Sequence, residues 1–445
     1  MNKKSPRDQR GQARVKLPDR FERTMSWNSL DEMIREDDFV RMVVRYVDSL
    51  DLSAFYAKIN ATQGKAGRDA IDPRMLFALW LFATLEGIGS ARKLDRLVTR
   101  DVAYRWICGG VSVNYHTLSD FRRDHGELLE RVLTQSVAVL HQQGLIRLET
   151  IAQDGMRVRA SAGSSSFRTK DSLKIAEQKA QQLVEQAAQD VDDAQASDRA
   201  QAARERSAQD KLRRIEMAVR QLERMQKRYD ERNKHLSEKH HRSEPRASTT
   251  DPEARRMKMA DNGFRPAYNV QFANDADSLV IVSVDVTNTG SDAALLAPMY
   301  DDVCQRYDIS PDRYLADGGF SKKAGVTHVE RQNTKFYGPL FSEQKQLKAG
   351  EDPYKERPNE NAHYTKFRKR MGTAEAKEIY RRRAVAAEFP NANCRNQGLY
   401  QFAVRGLAKA KAESLWHALA YNLRRFKCLR DNVSGQSYLE RLITT

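Results

Sequence analysis

The chain has 445 residues, 40% of them hydrophobic, and a formal net charge of +16 from 76 Lys and Arg against 60 Asp and Glu. That length holds two or three domains with real cores, and the charge favours an anionic partner such as nucleic acid. No run reaches the roughly 18 apolar residues of a membrane span, MNKKSPRDQR lacks a signal peptide's apolar stretch, and Cys108, Cys304, Cys394 and Cys428 stand singly, against a disulfide framework or zinc site, so a cytoplasmic protein away from membranes is expected.

Residues 1–20 read as a basic flexible arm, and a helical domain is expected over 21–145. Met33, Ile34, Val40, Val43, Val44, Val47 and Leu50 form an apolar helical stripe. DPRMLFALWLFATLEG then opens with an N-cap acid, Asp72, and a proline at the first helical position. ARKLDRLVTRDVAYRWICGG and NYHTLSDFRRDHGELLERVLTQSVAVLHQQGL are short amphipathic helices broken by glycines, the punctuation of a helix-turn-helix array. Tyr115, His116, Thr117, Ser119, Arg122 and Arg123 would then open a recognition helix facing DNA. The plainer reading is a helical bundle with a solvated basic face.

The following domain is expected in two pieces, 146–170 and 246–430. Its first strand, LETIAQDG, carries Asp154 at its end. A helical insertion over 171–245 separates the pieces. Ile215, Ala218, Leu222, Met225 and Tyr229 recur at the three-and-four spacing of a coiled-coil seam, and DDAQASDRAQ is the bend between two antiparallel helices. Such a hairpin would serve as a dimerisation arm or DNA clamp. His240 and His241 follow as solvated linker residues. FRPAYNVQFAND and SLVIVSVDVTNT alternate as an antiparallel pair. A helix capped by Ser291 or Asp292 precedes the strand DRYLADGGF, and a short strand near KFYGPL follows. The remainder is basic and helical, with Leu415, Leu419, Leu423 and Phe426 on one packing face before a tail at 431–445. The fold class is therefore α/β, a mixed sheet with flanking helices, interrupted by a helical insertion and preceded by an all-α domain.

Three acids stand out. Asp154 and Asp317 each end a short apolar strand, where α/β sheets place ligands, although each also precedes glycine and so fits an ordinary turn. Glu388 lies in the arginine-rich helix EIYRRRAVAAEF and could equally pair with Arg381 or a neighbouring arginine. Strand, strand, helix is the order in which an RNase H-like nuclease gathers carboxylates for two divalent cations, hard ions that prefer oxygen ligands. Asn269 and Gln271 share a strand face and are candidates for active-site support. Tyr380 among arginines suggests a nucleophilic tyrosine, but that reading leaves the paired strand-end acids unexplained.

With these residues in place the chain resembles the bacterial insertion-sequence transposases of the DDE class, in the group whose RNase H-like core carries an insertion. The likeness runs from about residue 20 to 430 and rests on VAYRWICGG, YHTLSDFRRDH, DGMRVRASAG, FRPAYNVQ and ADGGF. It rests also on a Tyr, Arg, Glu, basic signature filled by Tyr380, Arg383, Glu388 and Arg395, with four residues rather than the usual three between Arg and Glu. The resemblance implies that Asp154, Asp317 and Glu388 bind two Mg²⁺ ions, with Mn²⁺ as substitute, and that Tyr380, Arg383 and Arg395 hold DNA phosphates. It also implies binding of transposon ends in double-stranded DNA, cleavage, joining of 3′ ends to target DNA, at least a homodimer when DNA-bound, and a nucleoid location. A non-catalytic regulator derived from such an enzyme and a structure-specific nuclease are the alternatives. Relatives commonly follow the glutamate with Pro-Val-Phe-Gly, whereas EFPNANCRNQG stands here, so a helix break at Pro390 is expected, with Glu375 and Glu378 as fallback ligands.

Overall fold

The computed structural model describes residues 27–59, 69–189, 198–237 and 243–432. The basic arm, the histidine pair, most of the hairpin bend and the tail fall outside them. Seven helices come first: α1 (Phe39–Asp48), α2 (Ser53–Tyr56), α3 (Pro73–Leu85), α4 (Ala91–Arg100), α5 (Val102–Cys108), α6 (Tyr115–Asp124) and α7 (Gly126–Gln142). Side-chain caps open five of them, among them the expected Asp72, while α2 and α7 start without one. Asp72 accepts from Arg74 N ahead of Pro73, and Asn114 accepts from His116 N and Thr117 N. Helix α1 is shorter than the apolar stripe suggested, because Asp38 caps it and leaves Met33 outside and exposed.

The sheet is built from β1 (Thr150–Arg159), β4 (Arg255–Lys258), β5 (Phe264–Asp275), β6 (Ile281–Thr287), β7 (Arg313–Leu315) and β8 (Lys335–Tyr337), with a small separate pair, β2 (Phe167–Arg168) and β3 (Ala247–Ser248). Its central path runs β4-β5-β1-β7-β8, with β6 also on β5. The β5–β1 and β5–β6 pairs are antiparallel, whereas β7 joins β1 and β8 in parallel. Helix α10 (Leu296–Tyr307) links β6 to β7, and α11 (Lys323–Arg331) links β7 to β8. Beyond β8 come α12 (Glu343–Lys348), α13 (Ala362–Met371), α14 (Ala374–Arg383), a π-helical turn (Ala384–Glu388), α15 (Phe389–Asn396) and α16 (Leu407–Asn432).

One continuous apolar core joins the amino-terminal helices to the sheet. Helix α3 is buried along nearly its whole length, and its Phe77 ring lies 4.7 Å from that of Trp416 in α16. Leu415, Leu419, Leu423 and Phe426 are buried, as their spacing suggested, and each large apolar side chain so buried contributes roughly 1.5–3 kcal/mol. The insertion is a pair of antiparallel helices, α8 (Lys170–Gln189) and α9 (Asp198–Asn233). Gln201 on α9 donates to the Ala187 carbonyl of α8 at 2.7 Å. Ala218 and Leu222 of the seam are buried with Leu173 of α8 and Ala247 of β3. The apolar partner that the seam needed is thus supplied within the chain itself.

Two boundary expectations are corrected. Helix α10 starts at Leu296 without a side-chain cap, because Asp292 is drawn into the buried network described below and Ser291 lies too far upstream. The helix after Glu388 does not break at Pro390. The chain passes through the π turn into α15, where the proline occupies the opening turn and its missing N–H is tolerated. No helix among the described residues is long and apolar enough to cross a membrane. All four cysteines are free.

A candidate active site at the edge of two parallel strands

Strand register brings the two aspartates together. Ala152 pairs with Leu315 in the last pair of the parallel β1–β7 contact, and two residues further along each chain lie Asp154 and Asp317, near enough for the charge of Asp317 to act on Asp154. Asp154 is mid-strand rather than at a strand end, since β1 continues to Arg159 against β5. The parallel neighbour β7 ends first, at Leu315, and opens the space beside it. The glycine that looked like a turn signal has another cause. A Cβ at Gly155 would collide with Gln271 Nε2 and lie 2.8 Å from Asp292 Oδ1, so only glycine clears the crossing side chains. Asp317 does sit in a turn, where its Oδ1 accepts from Gly319 N at 2.8 Å.

The segment from α14 to α15 covers the Asp154 face. Arg383 Nη2 lies 3.0 Å from Asp154 Oδ1, and Asn391 Nδ2 donates to Asp154 Oδ2 at 2.9 Å. Arg383 Nη1 is 3.5 Å from Glu388 Oε1, so one guanidinium spans two of the three acids. Glu388 itself is 64% exposed. The extra residue between Arg383 and Glu388 is absorbed by the π turn. In an α-helix, at about 100° per residue, positions five apart point to different sides, but the i→i+5 pattern of a π turn realigns them. Pro390 gives this turn a cause, because its ring would press on the Ala386 carbonyl four residues earlier and offers it no N–H. Asn274 Nδ2, from β5, donates to that carbonyl at 3.2 Å instead. Glu378 points elsewhere, paired with Arg381 at 2.5 Å, and Glu375 is exposed. Tyr380 is half-buried beside Arg383 and Asp317, and burial raises its phenol pKa. Arg395 is exposed near the end of α15.

Burial raises the pKa of Asp154, Arg383 opposes the rise, and the neighbouring charge of Asp317 adds to it. A desolvated carboxylate beside a second one is a place where positive charge is stabilising. The carboxylate oxygens of Asp154 and Asp317 are the kind of donor a hard divalent cation prefers. The third acid is not gathered with them. Among the described residues no three Asp, Glu, His or Cys side chains converge as a metal-holding group, since Arg383 stands between Asp154 and Glu388.

Asn269 and Gln271 share a face as expected, but it is the face away from the Asp154 carboxylate. Gln271 pairs with Gly155 and Asn269 with Arg157, whereas Asp154 pairs with Phe272. Both are buried and hydrogen-bonded to Asp292 Oδ1, at 2.8 and 2.7 Å, and Arg157 pairs with Asp292 at 2.9 Å. Gln153 extends this network to Tyr314. These buried amides tie β1 and β5 to Asp292.

The helix-turn-helix candidates divide. Tyr115, Thr117, Ser119 and Arg123 are partly accessible and His116 is exposed, all on α6, with Arg92 5.3 Å above the Tyr115 ring. Arg123 pairs with Asp120 and Asp124. Arg122 is not a surface residue. It is buried, pairs with Glu413 of α16 at 2.5 Å, lies 4.9 Å over Trp80 and donates to the Gly89 carbonyl, which removes it from any DNA face. Asn391 was missed in the sequence. Its place three residues after Glu388 carried no signal, since Asn391 is buried against Asp154 while Glu388 is exposed.

Comparison with protein families matches residues 28–124 to the Transposase domain (DUF772) and residues 240–423 to the Transposase DDE domain. Asp317, Glu388, Tyr380, Arg383 and Arg395 fall inside the second match, while Asp154 lies between the two. Comparison with curated proteins and with solved structures gave no match.

Proposed function

Because the chain belongs to the insertion-sequence transposases of the DDE class, enzymes that cleave phosphodiester bonds, we propose that Asp154, Asp317 and Glu388 form its metal site and that it cuts and joins transposon ends there. The observation that carries the reading is the register that sets Asp154 beside Asp317 under a helix carrying Tyr380, Arg383 and Glu388. The sheet order supports an RNase H-like core, with three antiparallel strands (β6, β5, β1) followed by two parallel ones (β7, β8).

Asp154 and Asp317 would hold divalent metal, Mg²⁺ or Mn²⁺, with Glu388 as third carboxylate. When bound, the ions supply Lewis-acid activation of the attacking oxygen and charge stabilisation at the leaving oxygen. Arg383 balances the carboxylates in the free protein and is placed to exchange Glu388 or Asp154 for a DNA phosphate, to which a guanidinium binds in bidentate fashion. Tyr380 lines the same space, and Arg395 adds charge along the backbone of the duplex. The accessible α6 residues Tyr115, His116, Thr117, Ser119 and Arg123 form a second DNA contact in a helix-turn-helix-like region. Joining two ends requires at least two copies on DNA, and the hairpin, whose seam partly packs on α8 while Ile175, Leu183 and Met217 stay exposed, is one surface for that contact.

The test is strand cleavage and joining on DNA bearing the element's ends, with Mg²⁺ or Mn²⁺, for wild type, Asp154→Asn, Asp317→Asn and Glu388→Gln. Loss of both activities in all three variants with DNA binding retained is expected. Cleavage surviving Glu388→Gln would move the third ligand, and cleavage without joining by the wild type would favour a nuclease. Binding without metal-dependent chemistry would favour a regulator.

A further inference from the structure

Asp154 has two anchors, and only Arg383 belongs to the family signature. The other is Asn391, 6% exposed, whose Nδ2 donates to Asp154 Oδ2 at 2.9 Å. The amide must be oriented this way, since the opposite rotamer would set its carbonyl lone pairs against a carboxylate. We infer that Asn391 is a positioning residue of the catalytic site, holding Asp154 in the orientation that receives the metal. The inference rests on the metal-site reading above.

Arg383 is shared between Asp154 and Glu388, and turning to a phosphate in the proposed DNA complex would release Asp154 Oδ1. Asn391 has no such competing partner among the described residues, and its Oδ1 is buried without a hydrogen bond. It is neutral, so it fixes Oδ2 without repelling an incoming dication, as an arginine or lysine would. Its own placement is built in. Asn274 ties the Ala386 carbonyl to β5, and the π turn together with Pro390 sets the start of α15, so that its third residue faces β1. Donors that orient metal-ligating carboxylates commonly change metal affinity by about 10–100-fold when removed.

The test is Mn²⁺ binding to the full-length protein without DNA, followed by electron paramagnetic resonance, for wild type, Asp154→Asn, Asn391→Ala and Asn391→Leu, with urea midpoints alongside. The leucine, close in volume, carries the test if the alanine variant does not fold. Expected are loss of binding in Asp154→Asn and a dissociation constant raised about 10–100-fold in a folded Asn391 variant. Wild-type Mn²⁺ affinity in a folded Asn391 variant would overturn the inference and leave the metal site standing. Wild-type affinity in Asp154→Asn would instead remove the metal-site reading and the inference with it.

Discussion

Replacing Glu413 by glutamine separates two accounts of Arg122. The pair is 2.5 Å apart, with side chains only 8% and 5% exposed, and Glu413 also accepts from Ala403 N at 3.2 Å. A guanidinium cannot shed its proton, so Glu413→Gln keeps the volume but leaves a buried charge without its counter-ion. Breaking a buried pair in this way costs about 3–5 kcal/mol. With a urea m-value near 3 kcal/mol per molar, the midpoint should fall by about 1–1.7 M, read by tryptophan fluorescence, since Trp80 and Trp416 flank the pair. Removing both partners as Arg122→Leu/Glu413→Leu should restore much of the loss, because apolar replacements of a buried pair are often neutral. On DNA, folded Arg122→Leu should retain the wild-type slope of log K against log salt, whereas loss of a phosphate contact lowers it by about one. A stable Arg122→Leu protein with a reduced salt slope would refute the core assignment and return the residue to the DNA face.

Two other outcomes follow from the site. Gly155→Ala places a methyl group against Gln271 Nε2 and Asp292 Oδ1, so a loss of about 1–3 kcal/mol is expected, partly recovered by adding Gln271→Ala, as checked by urea unfolding. Burial first, then Asp317, raise the Asp154 pKa against the opposition of Arg383, so the metal-free protein should lose stability as pH rises from about 4 through that raised value. In EDTA, Asp154→Asn should therefore be the more stable protein at pH 7–8, with the advantage shrinking toward pH 4, and Mn²⁺ should stabilise only the wild type. An advantage that grows toward acid would contradict the sign.

Much of the local structure was legible because its causes are local. Asp72 ahead of Pro73 starts a helix whatever surrounds it, and the period-two alternation of FRPAYNVQFAND makes a strand before any partner is known. The residue types that suggest the chemistry were legible too, in Asp154, Asp317, Glu388 and a basic signature. Which side chains meet was decided by the tertiary structure, because contact depends on register, sheet face and helix phase, quantities that join segments far apart in the chain. Asp154 meets Asp317 through the parallel β1–β7 register. Asn269 and Gln271 are turned away from it by one step of strand alternation. The same dependence buries Arg122 against Glu413, a partner on the last described helix, and closes the hairpin seam on α8. Glu388 illustrates both halves. Its type and helix were readable in the sequence, while its phase relative to Arg383 depends on a π turn produced by a proline and a strand asparagine acting together.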